Sequence, residues 1–307
     1  MSNRRIGLIV LAAVVVLDLV LIGLALRPAG GAQAVANPSE LLPSSVAGPA
    51  SAAVAPSASG TRSGSAAPSA SALGGGSFAR AIGLRADGSG LSVQPGQCGT
   101  NSSAGSALPA TGPAVASTLP APVVGRVLVS DSALKVIAAG QDCGEAHTYV
   151  QNTDGSWADS GPTNGEYYLL PGTTNLITPM GAVVQPCSVT SVVGGSSEAT
   201  VLCDNGDIRT VIGSNVQHRV VQSRIVAITS SGVGTYLAAG NSGNCPGLAV
   251  TMTTDAGGTW NTVGCIQDGE ARGQVGIGMA GGKVVVVDGN GTVFRSADSG
   301  ATFTREG

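Results

Sequence analysis

Few side chains in this sequence have the types and spacing that chemistry requires. The two histidines, His147 and His218, lie in segments predicted to be strands, and neither has a partner at the spacing of a zinc motif. No Gly-x-Ser-x-Gly string, which presents the nucleophile in many hydrolases, occurs in the chain. The sequence therefore predicts no catalytic residue, no metal site and no cofactor.

One aromatic cluster is a candidate for ligand binding. The segment 161–186 is rich in glycine, threonine and proline. It contains Glu166, Tyr167 and Tyr168, and Tyr149 precedes it. We predict that Glu166, Tyr167 and Tyr168 form a ligand patch. The alternative is that these side chains only pack a surface loop.

The charge balance excludes one class of partner. The 307 residues carry 15 Lys and Arg against 18 Asp and Glu, a net charge of −3, and only 11% of positions are charged. Proteins that follow a phosphate backbone need a basic surface. We therefore expect no nucleic-acid partner.

An apolar segment near the N-terminus predicts a membrane anchor. Residues 6–26 contain one charge, Asp18, and about 20 apolar residues are needed to cross a bilayer as a helix. Arg4 and Arg5 precede the segment, which favours a cytoplasmic N-terminus and an exported C-terminal part. Residues 1–27 are thus predicted to be a tip and single-pass anchor in the cell membrane. The alternative is a cleaved secretory signal, with a small-x-small site at 32–34.

The next segment has the composition of a disordered stalk. Of the 49 residues at 28–76, 38 are Ala, Ser, Gly or Pro. Such a sequence buries too little apolar surface to offset the entropy of folding, and its prolines keep it extended. We predict a spacer between the membrane and a domain at 77–307.

Residues 77–307 have an all-β pattern. Short Val, Ile and Leu runs alternate with Asp-Gly, Asn-Gly and Gly-Gly pairs, which are typical of strands joined by hairpin turns. One unit recurs, because RVLVSDSALKVIAAG from Arg126 resembles RIVAITSSGVGTYLAAG from Arg224. A repeated β unit predicts a modular all-β fold.

Two eight-residue strings identify the repeat. TTDAGGTW begins at Thr253 and SADSGATF begins at Ser296, with their aspartates 298 − 255 = 43 residues apart. Both resemble the Asp box of sialidase-type (BNR) repeat β-propellers, and the interval matches the ~40 to 50 residues of one propeller blade. Weaker copies occur at 152–157 and from Thr200.

This resemblance implies an all-β propeller in which the boxes are structural. In the family the box occupies the turn between the third and fourth strands, opposite the usual ligand face. The residues given this structural role are Thr253, Asp255, Gly257, Thr259, Trp260, Ser296, Asp298, Gly300, Thr302 and Phe303.

We predict about five blades, within a range of four to six. The expected blades are 78–120, 123–160, 188–221, 223–266 and 274–307, with 161–186 as an insertion. The first has the weakest pattern, because 99–124 is uncharged and resembles a linker.

Six cysteines, all in the exported part, predict disulfides formed in an oxidising compartment. Cys245 and Cys265 are centred on residue 255, and Cys187 and Cys203 on residue 195, so each pair is expected to face across a hairpin. By elimination, Cys98 pairs with Cys143.

Three functions remain possible for such a domain. The sialidase start, Phe/Tyr-Arg-Ile-Pro, is missing, and fold does not imply function. We favour a non-catalytic binding or scaffold module at the cell surface, with an unknown protein or glycan partner. The alternatives are a sialidase-like glycoside hydrolase and an assembly factor for envelope proteins.

Overall fold

The structure is a computed structural model that describes residues 78–130, 132–195, 197–219 and 224–306. In these ranges no helix is long and apolar enough to cross a membrane. The predicted anchor at 6–26 and the stalk at 28–76 lie outside the described residues.

The described chain is a five-bladed β-propeller, which confirms the predicted all-β fold. Each blade is one continuous segment of four antiparallel strands, arranged in chain order from the central axis outwards. Blade 1 contains β1 (Ala81–Leu84), β2 (Gly90–Gln94), β3 (Ala104–Leu108) and β4 (Val115–Ser117). Blade 2 contains β5 (Val123–Ser130), β6 (Ala133–Ala139), β7 (His147–Gln151) and β8 (Trp157–Pro162).

A two-stranded hairpin of β9 (Asn175–Thr178) and β10 (Gly181–Val184) follows blade 2. Blade 3 contains β11 (Val189–Gly194), β12 (Ala199–Cys203), β13 (Ile208–Ile212) and β14 (Asn215–Arg219). Blade 4 contains β15 (Arg224–Gly232), β16 (Thr235–Ser242), β17 (Cys245–Thr253) and β18 (Asn261–Ile266). Blade 5 contains β19 (Gly276–Ala280), β20 (Lys283–Val287), β21 (Val293–Ser296) and β22 (Thr304–Glu306).

The blades lie within three residues of their predicted ranges. Blade 1 is complete although its second half resembles a linker, because β3 and β4 form in the uncharged segment 99–124. Small residues such as Ala and Ser suffice there, since the strands pair along their backbones.

The ring closes without exchange of a strand between its ends. The N–H of Arg80 donates to the carbonyl of Val275 at 2.8 Å, which joins the segment before β1 to the segment before β19. The N–H of Ala79 donates to the carbonyl of Thr190 in blade 3 at 2.8 Å. The start of the described chain therefore crosses one end of the central channel.

The core consists of aliphatic layers between neighbouring blades. Blades 4 and 5 share Leu237, Val250, Ile277 and Val286, all buried. Blades 1 and 2 approach closely at Gly83, where a Cβ would lie 2.6 Å from Cγ1 of Val127. The inner strands thus pack with small residues at the points of closest approach.

The predicted insertion forms a partial blade between blades 2 and 3. The segment 167–170 lies inside β9, and Tyr168 and Ile177 exchange backbone hydrogen bonds of 3.0 and 2.8 Å. Alternate side chains of this segment pack in opposite directions, because Tyr168 and Leu170 cluster with blade 2 whereas Tyr167 and Leu169 cluster with blade 3. Residues 167–184 therefore have three extended segments where a full blade has four, and we call them the truncated blade.

Candidate binding site

The two faces of the ring differ in their loops. One face, called the box face, carries the turns between first and second strands and between third and fourth strands of each blade. The predicted boxes lie there, in the β17–β18 and β21–β22 turns. The opposite face carries the connections between blades and the loops between second and third strands.

The turn around Asp255 is held by its carboxylate. Oδ1 accepts hydrogen bonds from the N–H of Thr259 at 2.8 Å and the hydroxyl of Thr253 at 2.7 Å, and Oδ2 accepts one from the hydroxyl of Thr259 at 2.8 Å. These bonds, led by the backbone bond from Thr259, lower the pKa of Asp255 to about 2. Ala256 and Gly257 have φ angles of 56° and 90°, a left-handed pair that tightens the turn.

The turn around Asp298 repeats this geometry. Its carboxylate accepts from the N–H of Thr302 at 2.9 Å and from the hydroxyls of Thr302 and Ser296, each at 2.6 Å. The hydroxyl hydrogen bonds, led by that of Ser296, hold the pKa of Asp298 well below its usual value. All acceptor bonds of both aspartates are local, so these carboxylates stabilise turns.

The three disulfides lie on or near the face opposite the boxes, in the predicted pairs Cys98–Cys143, Cys187–Cys203 and Cys245–Cys265. The expected facing geometry is wrong in detail. Cys203 lies opposite Val189, and Cys265 lies opposite Ala249, so each pair is diagonal. Gly194 pairs with Ala199 and Met252 pairs with Asn261, so the hairpins are centred at 196.5 and 256.5 and not at 195 and 255.

The three residues of the predicted ligand patch do not share a surface. Tyr167 and Tyr168 are buried, with 2% and 9% of their surface exposed, and Glu166 is half-buried. The hydroxyl of Tyr167 donates to the carbonyl of Ser197 at 3.1 Å and accepts from the N–H of Gly213 at 2.9 Å. Both tyrosines therefore anchor the truncated blade to its neighbours, and a ligand role for the three residues stays a prediction.

Each histidine has a carboxylate partner within its own blade. Nδ1 of His147 lies 2.9 Å from Asp159 in blade 2, and Nε2 of His218 lies 3.1 Å from Asp207 in blade 3. The described residues contain no group of three side chains suited to a metal ion.

A central channel of about 580 Å³ runs along the axis. Its walls are the five inner strands together with Leu169 and Pro171 of the truncated blade, and most lining side chains are aliphatic. The charged residues at its wall are Arg80, Arg126 and Glu198. The channel thus has an apolar surface with few polar groups.

Arg126 is a buried cation with a structural task. It is 3% exposed, and its two terminal nitrogens donate to the carbonyls of Tyr167 and Gly194. Burial lowers the pKa of Arg126 to about 10, although the charge of Glu166 opposes this effect. Its side chain therefore ties blade 2 to both the truncated blade and blade 3. Sequence reasoning missed this residue, whose signal is a lone cation in an apolar strand.

An open slot lies outside β10, between the outer strands β8 and β14. Among the described strands β10 pairs only with β9, so the position of a fourth strand is empty. Met180 and Val184 are exposed by 78% and 70%, and Val216 of blade 3 by 39%. These three are among the six large apolar side chains exposed in the described residues.

The slot has one apolar wall formed by blade 3. Val216 lies directly opposite Val211, whose side chain packs in one cluster with Leu176 of β9. Residues opposite each other in a ladder share a face, so Val216 points towards the truncated blade. Met180 contacts the β13–β14 turn, since a Cβ at Gly213 would lie 2.8 Å from its Sδ. The sequence signal for this slot is the short alternating string NLITPMGAVV.

Neither family models nor curated proteins give a match to this sequence. Similar solved structures include YCF48 bound to D1 peptide, at 12% identity and a TM-score of 0.39, with 76% of this chain and 83% of that chain covered. A putative 6-phosphogluconolactonase from Bacteroides fragilis has 14% identity, a TM-score of 0.40, and coverage of 75% and 82%. PorZ, a surface component of the type-IX secretion system of Porphyromonas gingivalis, has 8% identity and a TM-score of 0.34, with 76% of this chain and 38% of that chain covered. These likenesses carry no argument about function, and the fold is assigned from the strand order itself.

Proposed function

We propose that this protein is a membrane-anchored, extracytoplasmic β-propeller that acts as a non-catalytic binding or scaffold module for a protein partner. The observation that carries the proposal is the slot outside β10, where exposed apolar side chains line an unpaired strand edge. Exposed apolar clusters and free strand edges are the features through which folded proteins bind other chains.

The placement of the arginines supports binding over carboxylate-clamping catalysis. A sialidase-like site needs arginines that converge on one space. Here Arg126 is bonded to the carbonyls of Tyr167 and Gly194, and Nε of Arg80 lies 3.4 Å from the carbonyl of Gln274. The two arginines are therefore bonded to the backbone of different blades.

Two features support a location outside the cytoplasm. The apolar segment 6–26 is long enough for a single span, and all six cysteines form disulfides. A C-terminal epitope tag tests the location. In intact cells we expect added protease to remove the tag, and a tag that is cut only after lysis would contradict the proposed orientation.

Chemical crosslinking of the full chain in intact cells tests the binding function. We expect one reproducible protein adduct that is lost in Val184→Lys and kept in Val115→Lys, a control on the outer strand of blade 1 with an exposure of 58%. An equal loss in both variants would contradict binding at the slot.

An activity assay tests the non-catalytic role. Hydrolysis of a fluorogenic sialoside by the purified chain, abolished by Arg80→Gln, would contradict that role.

A further inference from the structure

We propose that the slot receives one extended segment of a partner protein, which pairs with β10 as the missing fourth strand of the truncated blade. This inference rests on the proposed binding function and names how the partner is held. The segment has an apolar side chain and, two residues away, an acidic one, both directed towards blade 3.

The backbone of β10 is oriented for such pairing. Ile177 exchanges both of its backbone hydrogen bonds with Tyr168, so its N–H and C=O point away from β10. Ala182 lies opposite Ile177 and therefore forms a non-hydrogen-bonded pair with it. Since these pairs alternate along a ladder, the N–H and C=O groups of Ala182 and Val184 point outwards into the slot.

The walls of the slot define the side chains of the segment. A residue paired beside Val183 faces the same side as Val183 and Leu176, which is the side of blade 3 and of Val216. This position is apolar, because Val216 is an exposed aliphatic side chain.

An acidic side chain fits further along the same wall. Arg209 and His218 are directly opposite each other, and Arg209 lies opposite Val201, which faces the truncated blade. Nε of Arg209 is buried and has no hydrogen-bond partner among the described residues, and its Nη2 is 3.7 Å from Asp207. The side chains of Arg209 and His218 are 20% and 44% exposed, so a carboxylate brought by the partner would accept from the exposed part of the guanidinium and not from the buried Nε.

The recessed position of β10 and the absence of charged residues near it favour an extended segment as the occupant and disfavour a second copy of the propeller. The truncated blade ends one strand short of the neighbouring blades, so β10 lies about 5 Å inside the outer strands. The β10 edge of a second copy would be recessed in the same way and could not reach it. No charged residue occurs between Glu166 and Glu198, so β10 lacks the charges that blunt natural edges.

Photo-crosslinking in intact cells tests the pairing with the full chain. Benzoylphenylalanine is incorporated at position 184 in the slot and, as a matched control, at position 115 on the outer strand of blade 1. Crosslinked peptides are identified by mass spectrometry. We expect position 184 to capture one segment of one partner that carries an acidic residue two positions from an apolar one.

Two variants separate backbone pairing from side-chain contact. Ala182→Pro removes an outward N–H that β9 does not use, and we expect the crosslink yield to fall about tenfold, whereas Ala182→Val keeps the donor and the yield. Val216→Glu leaves the β9–β10 hairpin untouched and is expected to reduce the yield to a similar extent through repulsion of the acidic segment. Thermal unfolding of each variant checks the fold.

Several results would overturn the strand-docking proposal. They are crosslinks from position 184 to a second copy or to residues 28–77 of the same chain, a yield no higher than at position 115, and a yield unaffected by both Ala182→Pro and Val216→Glu. A partner captured by chemical crosslinking while position 184 stays silent would reject strand docking and leave the binding function intact. Capture of no protein by either method would reject both.

Discussion

The space between blades 4 and 5 and the space between blades 2 and 3 are filled in different ways. At the first, aliphatic side chains of two complete blades meet directly, and the box turn of blade 5 covers the outer part. The turn is so close to β18 that a Cβ at Gly264 would lie 2.0 Å from the carbonyl oxygen of Gly300. This junction is closed from the channel to the rim.

The junction between blades 2 and 3 is filled only in its inner part. Tyr167, Leu169 and Leu176 pack on blade 3, and Tyr168 and Leu170 pack on blade 2. The truncated blade has neither a fourth strand nor a box turn, so the outer part stays open and Met180 and Val184 are exposed. The comparison indicates that the outer strand and its box turn close a junction, and that a blade without them leaves an open slot.

The largest effect on stability is expected from the core of the truncated blade. If this blade supports the ring as a full blade does, Leu176 should contribute as much to the free energy of unfolding as the equivalent leucine of a full blade. Leu176→Ala is expected to lower the free energy of unfolding by about 2 to 5 kcal/mol, as is Leu237→Ala in blade 4, because both side chains are fully buried. Urea denaturation of the full chain in detergent measures both. A loss below about 1 kcal/mol for Leu176→Ala alone would mean that the truncated blade is only loosely attached.

Loss of the polar tie between blades 2 and 3 should have the next largest effect on stability. Arg126→Met is expected to destabilise the protein by about 2 to 4 kcal/mol, because the carbonyls of Tyr167 and Gly194 each lose a donor and an unpaired buried group costs roughly 1 to 3 kcal/mol. Arg126→Lys, with one ammonium for two acceptors, should lose less. Equal stability of Arg126→Met and the unaltered protein in urea would show that the junction needs only apolar packing.

The box turns should be sensitive to acid, and the turn around Asp255, which packs between blades 3 and 4, provides the test. The folded pKa of Asp255, about 2, is below its ordinary value of 3.8, so the ionised carboxylate stabilises the fold above about pH 4 and this contribution is lost as pH falls towards 2. Asp255→Asn should therefore be less stable at neutral pH and depend less on pH between about 4 and 2. Urea midpoints across this interval measure the effect. Identical pH profiles for the two proteins would contradict the role of the carboxylate.

The smallest effect on stability is expected in the slot. Val184→Lys should change the free energy of unfolding by less than about 0.5 kcal/mol, because the side chain is 70% exposed. The same substitution should abolish partner capture. Marked destabilisation of Val184→Lys would show that Val184 supports the fold, and Val184 would then not count as a binding residue of the slot.

Much of the fold follows from local patterns in the sequence. The 43-residue interval between Asp255 and Asp298 predicts the length of a blade, and Asp-Gly and Asn-Gly pairs mark its turns. Two of the cysteine pairs also follow from their spacing about a hairpin, although the hairpins are centred between one and two residues further along the chain, so the actual contacts are diagonal. These features depend on residues near one another in the chain, so the order of residues contains them.

The candidate site follows from the sequence only in its location. The segment 161–186 is recognisable as an exception to the repeat, and its tyrosines attract attention as aromatic residues. Their burial depends on blades 2 and 3, which approach the segment from opposite sides, and on Arg126, 41 residues before Tyr167. No local pattern records such contacts.

The sequence by itself determined the class of fold, the length of its repeat and the pairing of its cysteines, because hairpin turns, strand alternation and box turns are local and repeat at a fixed interval. Only the tertiary structure decided that residues 167–184 form a blade one strand short, with Tyr167 and Tyr168 inside and Ala182 and Val184 at an open edge. The physical reason is that a strand edge is satisfied or free according to what lies beside it, and here the neighbours come from distant parts of the chain.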